Sequence, residues 1–182
     1  MRVIAGIARG IKLKAPEGLT VRPTADRVKE ALFNILGVKV IGALFIDLYA
    51  GSGAVGIEAL SRGAERAVFV DNRRENIILI KENLDRTKLA EQARLVSADV
   101  AKAIVSLARE GLKADILFID PPYDIPDLAT FVKSLLESCL LAKNGLLVVE
   151  HAYKNRQWGE GFANVRLKKY GDTGLTFITG TE

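Results

Sequence analysis

The residues in this chain with the most to offer chemically are the four in a row Asp120-Pro121-Pro122-Tyr123. Two consecutive prolines fix the backbone and remove two N–H donors. The carbonyls of the run are therefore expected to face outward as acceptors with no neighbouring donor competing for them. Asp120 adds a further acceptor and Tyr123 an aromatic face. An exocyclic amino group on a flat ring offers two N–H donors and a surface to stack on, so the run suits such a group. The lone pair of a base amine is delocalised and weakly nucleophilic. Holding it in line with an electrophile supplies an orientation effect worth about 7–11 kcal/mol in favourable cases. A proline-stiffened turn with a solvent-facing tyrosine would have the same sequence, so the elements around the run must decide.

A second run, Gly51-Ser52-Gly53-Ala54-Val55-Gly56, matches G-x-G-x-x-G, and Asp71 follows 20 residues after Gly51. That spacing is the dinucleotide-binding fingerprint: glycines let backbone approach a ligand, and the acid accepts from ribose hydroxyls. A nicotinamide or flavin oxidoreductase therefore has to be weighed. Asp47 stands four residues before the loop, where a carboxylate disfavours a pyrophosphate and suits a zwitterionic sulfonium such as S-adenosylmethionine. Asp99 follows the next strand, where it could accept from an adenine amine. Asp47 could equally hold loop backbone, and Asp99 could cap the helix after it. Carboxylates at three strand ends, 47, 71 and 99, favour the cofactor, because open α/β sheets bind ligands at that edge.

The elements that must position these residues alternate. Strands are expected at 43–49, 66–71, 93–97, 115–120 and 145–150, and helices at about 54–62, 73–87, 100–109 and 127–140. Near-continuous apolar strands between amphipathic helices imply a parallel sheet covered on both faces. Residues 164–170 and 175–179, linked by Gly171-Asp172-Thr173-Gly174, read as a closing antiparallel hairpin. The first forty residues differ. Residues 2–5 and 11–14 suggest a small basic hairpin. A helix follows with Thr24 as a plausible N-cap and Val28, Ala31, Leu32, Ile35 and Leu36 as its apolar stripe.

Charge and composition narrow the class. The net charge of +4 is uneven: residues 1–40 carry +5, 41–150 carry −3 and 151–182 carry +2. Basic ends around a slightly acidic middle suit a polyanionic substrate such as RNA or DNA, although lysines and arginines also simply solvate surfaces. The 182 residues fit one domain, a basic extension over 1–40 and a cofactor-binding core over 41–182. No apolar run reaches the roughly 18 residues of a membrane span, and no secretory leader is evident, so a cytoplasmic protein is expected. Cys139 is the one cysteine, expected to be a buried packing residue, and His151 is the one histidine. A metal site and a histidine-based triad are not expected.

Together these stretches resemble the class I methyltransferases with an [N/D]-P-P-[Y/F] motif, which methylate amino nitrogens. More closely, the chain is similar to the bacterial 16S ribosomal RNA guanine-N2 methyltransferase family of the RsmD type. The stretch from Arg22-Pro23-Thr24-Ala25-Asp26-Arg27 to Asn34 is the most distinctive, joined by Arg2–Gly6 with Arg9-Gly10, Asp47–Gly53, Glu58–Ala64 and Tyr170–Thr173. The resemblance implies a Rossmann-like, mostly parallel seven-stranded sheet ending in an antiparallel hairpin. It implies a loop of Asp47, Tyr49, Ala50, Gly51 and Gly53 around the methionine part of S-adenosylmethionine, Asp71 on the ribose, Asn72 beside the adenosine and Asp99 at the adenine. Asp120 and the Pro121 carbonyl would hold the guanine amine, with Pro122 stiffening the run and Tyr123 stacking. Arg22 and Thr24 would lie near the cofactor's methionine end, a placement for which the residues also allow a structural Arg–Asp pair. The family often has an aromatic residue between Gly6 and Gly10, where this chain has Ile7-Ala8. The implied partner is ribosomal RNA, naked or in a partly assembled small subunit, and a monomer is expected. Adenine-N6 methylation, a nucleotide-dependent oxidoreductase and a non-catalytic RNA-binding module are the competing readings.

Overall fold

The computed structural model describes residues 1–16, 23–122, 125 and 127–180, and the side chains of all of these except 23–25. Seven strands form one sheet in the order β3-β2-β1-β4-β5-β7-β6. They are β1 (Leu44–Leu48), β2 (Arg66–Asp71), β3 (Ala93–Ser97), β4 (Ala114–Ile119), β5 (Leu141–Ala152), β6 (Val165–Tyr170) and β7 (Thr173–Thr179). The first five are parallel, and β7 runs antiparallel to both β5 and β6. The helices are α1 (Pro23–Leu36), α2 (Ala54–Ser61), α3 (Arg74–Thr87), α4 (Val100–Arg109) and α5 (Leu128–Glu137).

Period-two alternation splits the strand residues between two cores. Phe45, Phe69, Phe118 and Val148 join α1, α2 and α3 on one face, and the N-terminal segment adds Val3, Ala8 and Leu13 to that core. Ile46, Val68, Ile119 and Val149 join α4 and α5 on the other. The sheet order reverses at β1 and β4, so the crevice above their carboxyl ends is where ligands of such sheets bind. The Gly-rich loop follows β1, and Asp120 follows β4.

Several elements differ from the sequence expectation. The opening hairpin is short: Arg2 bridges Lys12, Val3 N–H donates to Ile11 O at 3.0 Å and Leu13 N–H to Met1 O at 3.1 Å, while the N–H groups of Ile4, Ala5 and Ala8 turn to Glu58 and Ser61 of α2. Helix α1 begins at Pro23, whose fixed φ suits the first helical position, so Thr24 lies inside the first turn rather than capping it. The buried side of α1 includes Phe33 and Lys29, while Ala31 and Ile35 are half-buried. Helix α5 stops at Glu137 because Cys139 turns into the left-handed region at φ 60°. That turn exposes Cys139 instead of burying it. Strand β5 begins at Leu141, before the irregularity where Leu141 pairs Ala114 and Leu146 pairs Ile116. Strand β7 takes in Thr173 and Gly174, leaving Gly171-Asp172 as a two-residue turn with Gly171 at φ 60°. A 3-10 segment at Tyr153–Gly161, absent from the sequence reading, connects β5 to β6.

Candidate functional site

Three strands end in acids on one face. Phe45, Phe69 and Phe118 all point into the first core, so two residues further on Asp47, Asp71 and Asp120 project to the same side. The loop leaving β1 needs three left-handed residues: Tyr49 at φ 65°, Gly51 at 55° and Gly53 at 76°. For Tyr49 this costs roughly 1–2 kcal/mol. Its ring packs edge-on against Phe131, 6.2 Å away, in the second core. Burial and the negative charge of Asp99 push the Tyr49 phenol up. Tyr49 thus offers a ligand its backbone and the side of its ring. Ala50 N–H donates to Val70 O at 3.0 Å, and Gly53 N–H to Ala50 O at 2.7 Å, closing the loop onto β2.

Gly56 is fixed by packing rather than by ligand approach. A Cβ there would lie 2.3 Å from Cε1 of Phe69, so only glycine lets α2 settle against β2. The same glycine donates its N–H to Asp47 Oδ2 at 3.1 Å. Asp47 is fully enclosed, and burial pushes its carboxyl up to about 8, with the charges of Asp120 and Asp71 adding to the effect. Asp71 accepts from Gly51 N–H at 2.9 Å, Arg73 N–H at 2.9 Å and Asn76 Nδ2 at 3.0 Å. Its first task is to hold the glycine loop against the start of α3. Asn72 beside it is exposed. Asp99 caps α4, accepting from the N–H groups of Ala101 and Lys102 at 3.0 and 3.3 Å through Oδ1. The capping role weighed for it is therefore realised.

Asp120 is open to solvent on one side and walled by protein on the others, and burial pushes its carboxyl up to about 6. Pro121 is buried and Pro122 exposed; the Pro122 carbonyl accepts from Ile125 N–H at 3.1 Å. The structure therefore brings Asp47, Asp71, Asp120 and the loop of Tyr49–Gly53 to one edge. Tyr123 and Arg22 lie outside the described residues, as does the side chain of Thr24. His151 follows Glu150 at the end of β5 but faces away from these residues. It is buried on the opposite face, its Nε2 2.8 Å from Thr176 Oγ1 and its ring edge-on to Trp158.

The sequence reading passed over three residues of consequence. Glu58 on α2 accepts from Ile4 and Ala5 N–H and pairs with Lys29 and Arg62, anchoring the N-terminal segment. Asn83 on α3 exchanges hydrogen bonds with Lys14 backbone and donates to Ser52 O at 3.0 Å, tying that segment to the glycine loop. Glu150 ends the apolar run of β5 on the side of Asp120; burial, helped by the charges of Asp120 and Asp47, pushes its carboxyl up to about 8. The strand-end rule that flagged Asp47 and Asp71 would have flagged Glu150 as well.

A family described as "Conserved hypothetical protein 95" matches residues 1–179. The chain belongs to this family. Bacillus subtilis YlbH is 40% identical over 151 residues, spanning 83% of this chain and 82% of that one. Ribosomal RNA small subunit methyltransferase D of Escherichia coli is 38% identical over 155 residues, 85% of this chain and 76% of its own. Among solved structures, the Thermus thermophilus hypothetical protein TTHA0928 superposes with a TM-score of 0.84 at 34% identity, covering 98% of each chain. At 21% identity and a TM-score of 0.70, a Thermus thermophilus methyltransferase, RsmC, shares the fold over 90% of this chain and 44% of its own. The family's sheet, with its glycine loop and reversed C-terminal strand, is the methyltransferase form of the Rossmann-like fold.

Proposed function

We propose that the protein methylates the exocyclic N2 amine of a guanine in 16S ribosomal RNA. Its cofactor is S-adenosylmethionine, which supplies an electrophilic methyl on a sulfonium and leaves as S-adenosylhomocysteine. The residues at the cleft fit that cofactor. Asp47 accepts one hydrogen bond, from Gly56, and is enclosed beside Asp71 and Asp120, none of them in an ion pair among the described residues. Such an acidic recess favours a cationic ligand and repels a pyrophosphate, which argues against the oxidoreductase reading. The loop backbone at Tyr49–Gly53 and Asp47 would hold the methionine part, Asp71 the ribose, and Asn72 and Asp99 the adenosine.

Asp120 and the Pro121 carbonyl would take the two amine hydrogens, and Tyr123 would stack on the ring. This orients the nitrogen lone pair toward the methyl and strips water from it. Arg22 and Thr24 would lie near the cofactor's methionine end. Arginines 2, 9 and 27 line a recess of about 360 Å³ between the N-terminal segment and α1, together with Asp26 and Glu30. That recess would take phosphates of an RNA backbone.

The observation that supports small-subunit ribosomal RNA as the substrate is the 38% identity to ribosomal RNA small subunit methyltransferase D of Escherichia coli across 85% of this chain; the guanine amine rests on the resemblance carried by Asp120–Tyr123 and the Arg22–Asn34 stretch. The deciding experiment is mass spectrometry of 16S ribosomal RNA from cells with and without the gene, repeated with purified protein on isolated RNA and on partly assembled subunits. N2-methylguanosine should vanish at one position and be restored in vitro by wild type and not by Asp120→Ala. An unchanged N2-methylguanosine content would overturn the reading, and methyladenosine in its place would move it to adenine N6.

A further inference from the structure

In the parallel ladder of β4 and β5, Phe118 pairs with Val148 and Ile119 with Val149, so the next rung sets Asp120 beside Glu150. Neighbouring strands lie roughly 4.8 Å apart. Phe118 and Val148 both enter the first core, which puts Asp120 and Glu150 on one face, the face that also carries Asp47. The neighbour of Glu150 on its other side is Leu175 of β7, which is buried. Among the described residues, the other charged or titratable groups on this face include Asp71 on β2, Arg166, Lys168 and Tyr170 on β6, beyond Leu175, and Asp26 and Lys29 on α1. Lys29 is committed to Glu58 at 3.1 Å. No ion pair involves Glu150, Asp120 or Asp47 among the described residues. Nor are these three disposed to hold a metal ion.

Two carboxyl groups on one rung, Glu150 half-buried and Asp120 open to solvent on one side, disfavour double ionisation near neutral pH where no cation sits between them. One proton then belongs to the pair. We infer that Glu150 is a positioning residue of the amine site: as a neutral acid it keeps that proton and donates it in a hydrogen bond to Asp120, leaving Asp120 an ionised acceptor turned toward the amine. The inference rests on the amino-methylation reading above. The direction of proton sharing follows from the environments, since burial and two like charges raise Glu150 further than burial raises Asp120. When the amine nitrogen has bonded to the methyl it is cationic. An N–H pair returns to nitrogen and the proton passes to the Asp120 carboxylate. The pair is then neutral in both members until one proton leaves to water.

The test compares wild type, Glu150→Leu, Glu150→Gln and Asp120→Asn in RNA methylation and in carboxyl NMR of glutamate-labelled protein. At pH 7, Glu150→Leu should lose about tenfold or more in kcat while KM for S-adenosylmethionine stays within about twofold, as for one lost hydrogen bond to a charged group. Glu150→Gln, whose amide also donates, should keep kcat within about threefold. Wild-type kcat should fall above pH 8 as Glu150 ionises, and the Gln variant should lack that fall. The Glu150 carboxyl, assigned by its loss in Glu150→Gln, should titrate well above the usual range and drop in Asp120→Asn. Wild-type turnover in Glu150→Leu, or an unaltered alkaline fall in Glu150→Gln, would overturn the inference. If Glu150→Leu does not fold, the Gln profile and the titration decide. A wild type that methylates no RNA amine overturns the reading beneath, and the Glu150 titration still decides whether the pair shares a proton.

Discussion

The Glu58 carboxylate and the Lys29 ammonium lie 3.1 Å apart, with 0% and 4% of their side chains exposed. Burying a charge pair is favourable only when its remaining lone pairs and protons are also satisfied. Ile4 N–H, Ala5 N–H and Arg62 Nε complete the shell of Glu58, and Lys29 also donates to Arg2 O at 2.7 Å. One carboxylate thus joins the N-terminal segment, α1 and α2 on the face that carries the cofactor loop.

Glu58→Ala should therefore strand a buried lysine and two amides, and cost about 3–5 kcal/mol. Urea unfolding would read the loss. Hydrogen exchange should show Ile4 and Ala5 amides opening first, with the β1–β4 ladder still protected. Lys29→Met should cost less, because Glu58 keeps Arg62 and both amides.

Asp47 predicts how cofactor affinity depends on pH. Its carboxyl is raised to about 8 in the folded protein, so below that pH it is protonated. A cationic ligand favours the ionised form, so binding should expel a proton and tighten as pH rises from 6 to 8. Calorimetry in buffers of differing ionisation enthalpy would measure the proton released. Asp47→Asn should bind more weakly and lose this dependence. The stability sign is opposite. Between the unfolded value near 4 and the folded value near 8, the folded state holds the extra proton. Stability therefore falls as pH rises through that window. Asp47→Asn should remove that decline in thermal unfolding scans.

Gly56→Ala tests whether packing or ligand approach fixes the third glycine of the loop. The new methyl would press on Phe69 at 2.3 Å, and Phe69 is fully buried. Overpacking of this kind costs about 1–3 kcal/mol, and pushing α2 off β2 would also carry the Gly56 amide away from Asp47. The variant should melt lower and bind S-adenosylmethionine more weakly. Adding Phe69→Leu should recover part of both. If the double variant melts no higher than Gly56→Ala alone, Phe69 is not the obstacle.

How much was legible beforehand follows from the range of each signal. Asp47, Asp71 and Asp120 could be read because each interrupts an apolar strand at its end, and the alternation around them is local. The parallel sheet followed from the alternation of strand and helix patterns, and its closing hairpin from the turn at Gly171–Gly174. The start of β5 could not be read, because Asn144 at φ 62° and Gly145 break the pattern between Leu141 and Leu146. The role of Glu58 was invisible for another reason: its backbone donors lie 53 and 54 positions away in the chain. Asn83 likewise meets Lys14 across 69 positions. No local pattern records such partners.

Arginines 2, 9 and 27 line the recess beside α1. Arg2, Arg9 and Arg27 have no carboxylate partner within ion-pair distance among the described residues, although Asp26 and Glu30 line the same recess. If this recess takes phosphates, replacing each arginine by alanine should weaken RNA binding without regard to sequence. Each should also lower the slope of log affinity against log salt by about 1. Cofactor affinity and thermal stability should stay near wild type, because none of the three side chains enters the Glu58 clasp or the glycine loop. Filter binding of a 16S fragment from 50 to 300 mM salt, with calorimetry for the cofactor, separates the outcomes. An unchanged salt slope in the triple variant would place the RNA backbone on another face of the protein. A selective loss of one base preference would instead mean that an arginine reads a base edge, since phosphate contacts position and base contacts specify.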